Sequence, residues 1–148
     1  MTDRDIALKL YIVLSRAYLA VERHSQADIA RHDLSQGEFA IMEALYHKGP
    51  LLLGEVQRKI LVSSGGVTYL VDRLEADGLV ERRECPTDRR ARYAALTPKG
   101  RQLMKRIFPE HAAALERAVS GLSATEKKQA IDLLRKLGRA AADIGTDS

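Results

Sequence analysis

At 148 residues and 45% hydrophobic side chains the chain can bury the core of one compact domain, which excludes general disorder; the lack of any bilayer-length apolar run excludes a transmembrane segment, and a single cysteine excludes a disulfide framework or a cysteine-rich zinc site. The charged start Met1-Thr2-Asp3-Arg4-Asp5 is unlike a secretion signal, so a cytoplasmic protein without membrane contact is expected. The net charge of +4 is uneven: residues 55–106 carry twelve Lys or Arg against seven Asp or Glu, the remainder twelve against thirteen, and such a confined basic segment is the footprint expected where phosphates are neutralised.

In chain order, Ile6, Leu10, Val13, Ala17 and Ala20 recur at steps of four and three, the stripe of an amphipathic helix that reaches Val21. Ser35-Gln36-Gly37-Glu38 is a capping box opening a second helix with Phe39, Met42 and Leu45 inward, and Gly49-Pro50 ends it. Leu51 to Leu53 reads as a brief strand or buried connector. Gly54 to Leu61 reads as a short helix with Val56, Ile60 and Leu61 inward. After Val62-Ser63-Ser64-Gly65-Gly66 a further helix runs from Ser64 to Ala76, burying Val67, Leu70, Val71 and Leu74, until Asp77-Gly78 stops it.

Leu79 to Glu84 and Arg92 to Leu96 read as two strands joined by the loop Cys85-Pro86-Thr87-Asp88-Arg89-Arg90, a hairpin with a basic tip. Thr97-Pro98 starts a long helix whose stripe continues through Phe108, Ala112, Leu115, Val119 and Leu122, with a bend expected at Pro109. Ser123-Ala124-Thr125-Glu126 opens a last helix with Ala130, Leu133, Leu134, Leu137 and Ala141 on one side.

Two short helices around a serine and glycine turn, followed by a hairpin with a basic tip, make a winged helix-turn-helix. The fold expected is mostly α with a small β-hairpin wing (α+β), flanked by N- and C-terminal dimerisation helices. The strings Val71-Asp72-Arg73-Leu74-Glu75-Ala76-Asp77-Gly78-Leu79-Val80, Asp88-Arg89-Arg90 and Leu96-Thr97-Pro98-Lys99-Gly100 resemble those of the MarR family of transcriptional regulators. Ser64-Gly65-Gly66-Val67-Thr68-Tyr69 and Ile107-Phe108-Pro109-Glu110-His111 lean toward its branch that answers quinones and other phenolic compounds.

The resemblance implies a homodimer on a pseudo-palindromic double-stranded DNA operator, with residues 1–33 in the dimerisation region, 34–97 as the DNA-binding domain and 98–148 as C-terminal dimerisation helices. It also implies repression released by a small phenolic or quinone-like ligand. The apolar stripes of the terminal helices agree with a two-fold partner, being wider than one small bundle needs.

The helix from Ser64 would enter the major groove, bringing Ser63, Ser64, Thr68 and Tyr69 to base edges or phosphates. The glycines behind Ser64 either let the backbone approach DNA closely or mark a loose helix end. By resemblance Arg73 meets the phosphate backbone, while Arg58 and Lys59 suit backbone positioning. The family pattern of aspartate, any residue, arginine falls on Asp88 and Arg90. Asp88 would brace the wing by pairing with an arginine, Arg90 would enter the minor groove, and Arg89 would reach a phosphate.

The implied ligand pocket lies between the dimer helices and the winged module, and Tyr11, Tyr18, His24 and Phe39 either line it or belong to the core. Cys85 reads as a small structural residue or, beside Arg82, Arg83 and Arg89, as a redox-reactive thiol. His24, His32, His47 and His111 lack metal-ligand spacing, so no metal and no cofactor are expected. The motifs of phosphate-binding loops, serine hydrolases and zinc peptidases are absent from the sequence, and no enzyme activity is expected. An RNA-binding or protein-docking winged helix is the alternative, though 5% aromatic residues make a poor base-stacking platform.

Overall fold

The computed structural model describes residues 1–60 and 64–146. Among them the order is α1 (Asp3–Ala30), α2 (Gln36–Lys48), β1 (Leu51–Leu52), α3 (Leu53–Ile60), α4 (Ser64–Ala76), β2 (Val80–Cys85), β3 (Asp88–Leu96), α5 (Pro98–Ala118) and α6 (Ala124–Asp143). This is the mostly helical fold with a small wing that the sequence implies. The chain divides into two compact units, Met1–Leu115 and Glu116–Ser148. No helix among the described residues is long and apolar enough to cross a membrane.

In the first unit, α1 starts on a capping box, the Thr2 hydroxyl accepting the Asp5 amide at 3.1 Å and the Asp5 carboxylate accepting the Thr2 amide at 2.9 Å. The helix runs past Val21 to Ala30 because Asp28 and Ile29 return to buried positions. Asp33 then takes a left-handed conformation (φ 59°) that aspartate tolerates better than most residues, and the chain turns into α2. Ser35 and Glu38 form the expected reciprocal cap, at 3.1 and 3.2 Å. Gly49, at φ 79°, ends the helix.

Ile41, Met42 and Leu45 of α2 meet Val56 of α3, Val71 and Leu74 of α4, and Met104 and Ile107 of α5 in one core. Each such side chain contributes about 1.5–3 kcal/mol when fully buried.

The sheet is antiparallel with strand order β1-β3-β2. Leu51 pairs with Ala94 and Val80 with Leu96, so the run at Leu51 splits into a two-residue strand and the first residue of α3. The wing departs from the expected loop. Strand pairing continues to Cys85 opposite Asp88, with an irregularity at Glu84 and Cys85, and only Pro86 and Thr87 lie between the strands. Asp88, Arg89 and Arg90 therefore stand on β3, where the Asp88 carboxylate accepts the Arg90 amide at 2.9 Å and the Arg92 guanidinium donates to the Arg89 carbonyl at 3.0 Å. These local bonds hold the tip extended.

The long helix also differs. Its buried face is Gly100, Met104, Ile107, His111 and Ala114, one residue out of phase with the Phe108, Ala112, Leu115 stripe, and the helix ends at Ala118 instead of reaching Leu122. Successive residues lie about 100° apart round a helix. The core thus faces the Met104 side, and Phe108 packs at its edge.

In the second unit, α6 opens on the predicted Ser123–Glu126 capping box. It buries none of its residues in the single chain, and Ile131, Leu133, Leu134 and Leu137 are exposed.

Candidate nucleic-acid interface and ligand cleft

Helix α4 places Val67, Val71 and Leu74 inward, which leaves Thr68, Tyr69 and Arg73 on the outer side. Tyr69 is 59% exposed. The Arg73 guanidinium donates to the Tyr69 hydroxyl at 3.1 Å, lies 5.8 Å from the Tyr69 ring centroid and is 3.9 Å from Glu38. The two α4 side chains therefore present one joined cationic and aromatic surface. The Tyr69 bond, then Glu38, pushes the Arg73 pKa above its ordinary value. Ser64 opens α4, whereas Ser63 lies outside the described residues.

Arg58 and Lys59 are exposed at the end of α3. Arg58, Arg90 and Arg92 line one groove of about 330 Å³ beside Gly54 and Glu55, so α3 and the wing share a basic wall. Arg89 and Arg90 are exposed. Asp88 braces the wing through the Arg90 backbone amide at 2.9 Å, where an arginine side chain was expected as its partner.

Arg82, counted among the basic residues of this segment, is spent internally. It bonds Asp72 at 2.6 Å and Glu75 at 2.9 Å, tying β2 to α4, while Arg83 pairs with Glu81 at 2.7 Å. Neither arginine is what lowers the Cys85 thiol below its ordinary pKa. The main cause is hydrogen bonding with Thr87, whose hydroxyl lies 3.3 Å from Sγ.

A cleft of about 440 Å³ opens in the first unit, walled by Tyr18, Glu22, Phe39, Glu43, Ile60 and His111. Of the four residues expected in a pocket or core, Tyr18 and Phe39 meet here. Tyr11 and His24 lie on exposed surface of α1 outside the cleft wall, and Phe39 is buried.

His111 and its support were missed from sequence. Its Nδ1 is 3.0 Å from the buried Asp28 carboxylate, and its ring centroid is 4.5 Å from that of Phe39. Arg31 and His32 approach the same carboxylate at 3.5 and 3.6 Å, His32 also lies 3.5 Å from Glu110, and the buried His32 Nε2 has no hydrogen-bond partner. The available signal was spacing: His111 falls four residues after Ile107 and seven after Met104, on the inward face of α5. No group of three or more potential ligands among the described residues is arranged to hold a metal ion.

The sequence profile of the MarR family matches residues 32–91. The HTH-type transcriptional regulator MhqR of Bacillus subtilis is 44% identical over 93% of this chain and 94% of its own length. Among solved structures, BpsR of Bordetella bronchiseptica, whose DNA binding is regulated by 6-hydroxynicotinic acid, is 28% identical with a TM-score of 0.75, covering 90% of this chain and 92% of that one. Sco3205, a MarR family transcriptional regulator of Streptomyces coelicolor solved in complex with DNA, has a TM-score of 0.79 at 23% identity, covering 95% of this chain and 93% of that one. With a relative this similar along nearly its whole length, and with the helix pair and wing in place, the chain belongs to the MarR family of helix-turn-helix transcriptional regulators.

Proposed function

We propose that the protein is a homodimeric, sequence-specific double-stranded DNA-binding repressor that a small phenolic or quinone-like ligand releases from its operator. The observation that carries this reading is the joint exposure of Thr68, Tyr69 and Arg73 on α4, with Arg58, Lys59 and Arg90 flanking them. A helix bearing hydroxyl, aromatic and guanidinium groups suits the major groove, and the flanking cations suit phosphates and a minor groove. A dimer seated on a promoter excludes other proteins from that stretch, which is repression. The ligand reading draws on the strings Ser64 to Tyr69 and Ile107 to His111, on the regulation of BpsR by a compound with a hydroxylated aromatic ring, and on the cleft beside α2, whose own lining is what decides the ligand's charge.

The test is binding to duplexes recovered by genome-wide footprinting, in competition with single-stranded RNA and with candidate phenols present or absent. Duplex-selective binding weakened by a phenol is the expected result; RNA preference or salt-independent binding would favour the alternative module. Within that assay Arg90→Ala is expected to cost on the order of 1–3 kcal/mol on operators with A·T-rich flanks and little on G·C-rich ones, because a narrow minor groove is what attracts a guanidinium. Equal losses on both flank types would reduce Arg90 to a phosphate contact.

A further inference from the structure

The cleft holds one strongly oriented polar group, and its chemistry says more than the general reading on which this inference rests. His111 is buried to 5% side-chain exposure, held by Asp28 on Nδ1 and by Phe39 on its face. With the carboxylate as acceptor, Nδ1 carries the proton and donates it to Asp28, which leaves Nε2 with a lone pair. Because Nδ1 is engaged and the residue lines the cleft, Nε2 is the nitrogen available to an occupant. A buried carboxylate behind an imidazole fixes the ring's orientation and the nitrogen that carries the proton.

Two further charges bear on what can enter. Glu22 of α1 and Glu43 of α2 also line the cleft, with Glu22 accepting a bond from the Gln36 side-chain amide at 3.3 Å. Among the described residues that line the cleft there is no Lys or Arg. Carboxylates on opposite elements disfavour an anion through like-charge repulsion. Tyr18, Phe39 and Ile60 meanwhile supply flat apolar walls.

We infer that His111, positioned by Asp28, is the anchor of the effector site, accepting a hydrogen bond from the hydroxyl of a neutral phenol, and that Glu22 and Glu43 exclude aromatic carboxylates. The site thereby selects hydroxylated over carbonyl-only or acidic aromatics. A quinone offers only acceptors to Nε2 and is not held by this contact, so the anchor narrows the phenolic or quinone-like class to its hydroxylated members.

The test is a matched series, 4-ethylphenol, 4-ethylanisole and 4-ethylbenzoate, titrated into the full-length protein by calorimetry. The wild type should bind the phenol about tenfold or more tighter than the ether, the scale of one well-placed hydrogen bond, and should bind the benzoate least. His111→Gln should abolish the phenol-over-ether preference, and Glu22→Gln with Glu43→Gln should restore benzoate binding. Asp28→Asn, which keeps the side chain's size, should diminish the phenol preference while thermal unfolding confirms a folded protein. If His111→Gln fails to fold, Asp28→Asn and the three-ligand ranking decide. Equal affinity for phenol and ether, or a preference that survives in a folded His111→Gln, overturns the anchor while leaving a phenolic effector intact. Binding of none of the three to the wild type overturns the phenolic reading and the anchor with it.

Discussion

A single threonine shows why the string Leu96 to Gly100 has the residues it does. Thr97 Oγ1 donates to the Gly78 carbonyl at 2.6 Å and accepts the Gly100 amide at 3.0 Å, while the Thr97 amide donates to Leu79 at 3.1 Å and Lys99 donates to the Asp77 carbonyl at 2.8 Å. The turn after α4 and the start of α5 are thus stitched by one backbone bond and by the Thr97 and Lys99 side chains, and a Cβ on Gly100 would overlap the Leu79 carbonyl. Gly100→Ala is therefore expected to destabilise by about 1–3 kcal/mol, the usual scale of overpacking, read as a lower urea midpoint at unchanged slope; an unshifted midpoint would contradict this packing. Thr97 as a cap was legible from Thr97-Pro98, because capping is local. Asp28 and His111 were not, because their contact spans 83 residues of sequence and no spacing rule pairs them. Cys85 offers a second test at this scale. Hydrogen bonds from Thr87 hold its thiol below the ordinary pKa, so a larger thiolate fraction exists at neutral pH, and the pH midpoint of its alkylation by iodoacetamide should lie below that of the unfolded chain. Thr87→Val removes the leading cause and should move that midpoint upward; no movement would assign the shift elsewhere.

Between elements, α4 is held from two sides. Arg82 of β2 binds both Asp72 and Glu75 of α4, and its amide donates to Glu75 at 3.1 Å, so β2 is tied to α4 at three points. On the other side α2 packs so closely that a Cβ at Gly37 would come within 2.6 Å of Leu70, and Glu38 reaches Arg73. Gly37 and Phe39 also line the cleft, so a cleft occupant contacts the same turn of α2 that supports α4. Summing charge along the sequence assigned Arg82 to the phosphate-facing excess, whereas the fold uses it as a strut. Salt dependence separates the two roles. If each neutralises a phosphate as proposed, replacing Arg58 or Lys59 by alanine should reduce the slope of log affinity against log salt by about 1. Arg82→Gln should lower affinity by loosening the wing and leave that slope unchanged; a slope change like that of Arg58→Ala would make Arg82 a DNA contact. The helix pair, the caps of α2 and α6 and the wing's existence were legible at this scale because periodicity and turn chemistry are local, whereas the Thr2–Asp5 box that opens α1 was not anticipated. The strand ends and the phase of α5 were not. Bonds at Asp88 and Arg92 set the former, and the position of the core sets the latter.

At the scale of the molecule, the first unit leaves Ile6, Leu10 and Val13 of α1 about half exposed, and α6 of the second unit leaves Ile131, Leu133 and Leu134 about half exposed or more. Apolar surface of this extent on two elements exceeds what a monomer ordinarily shows to water, and burial in a two-fold partner removes it at about 25 cal/mol per Å². Sedimentation at low micromolar concentration should therefore report twice the chain mass of 16.4 kDa. In the proposed mode DNA binding depends on that association even though neither stripe touches DNA. Two linked modules engage two half-sites with a high effective concentration, so a monomer bearing every recognition residue keeps only the weak affinity of a single half-site. Leu134→Asp places a charge in the middle of the α6 stripe and should shift the protein toward monomer. In the monomeric range it should weaken binding to a two-half-site duplex by about a hundredfold or more, and leave binding to an isolated half-site near the wild-type value. The same comparison on the two duplexes distinguishes this from unfolding, which would abolish both. A Leu134→Asp protein that stays dimeric, or that loses both duplexes equally while remaining folded, would move the interface away from α6.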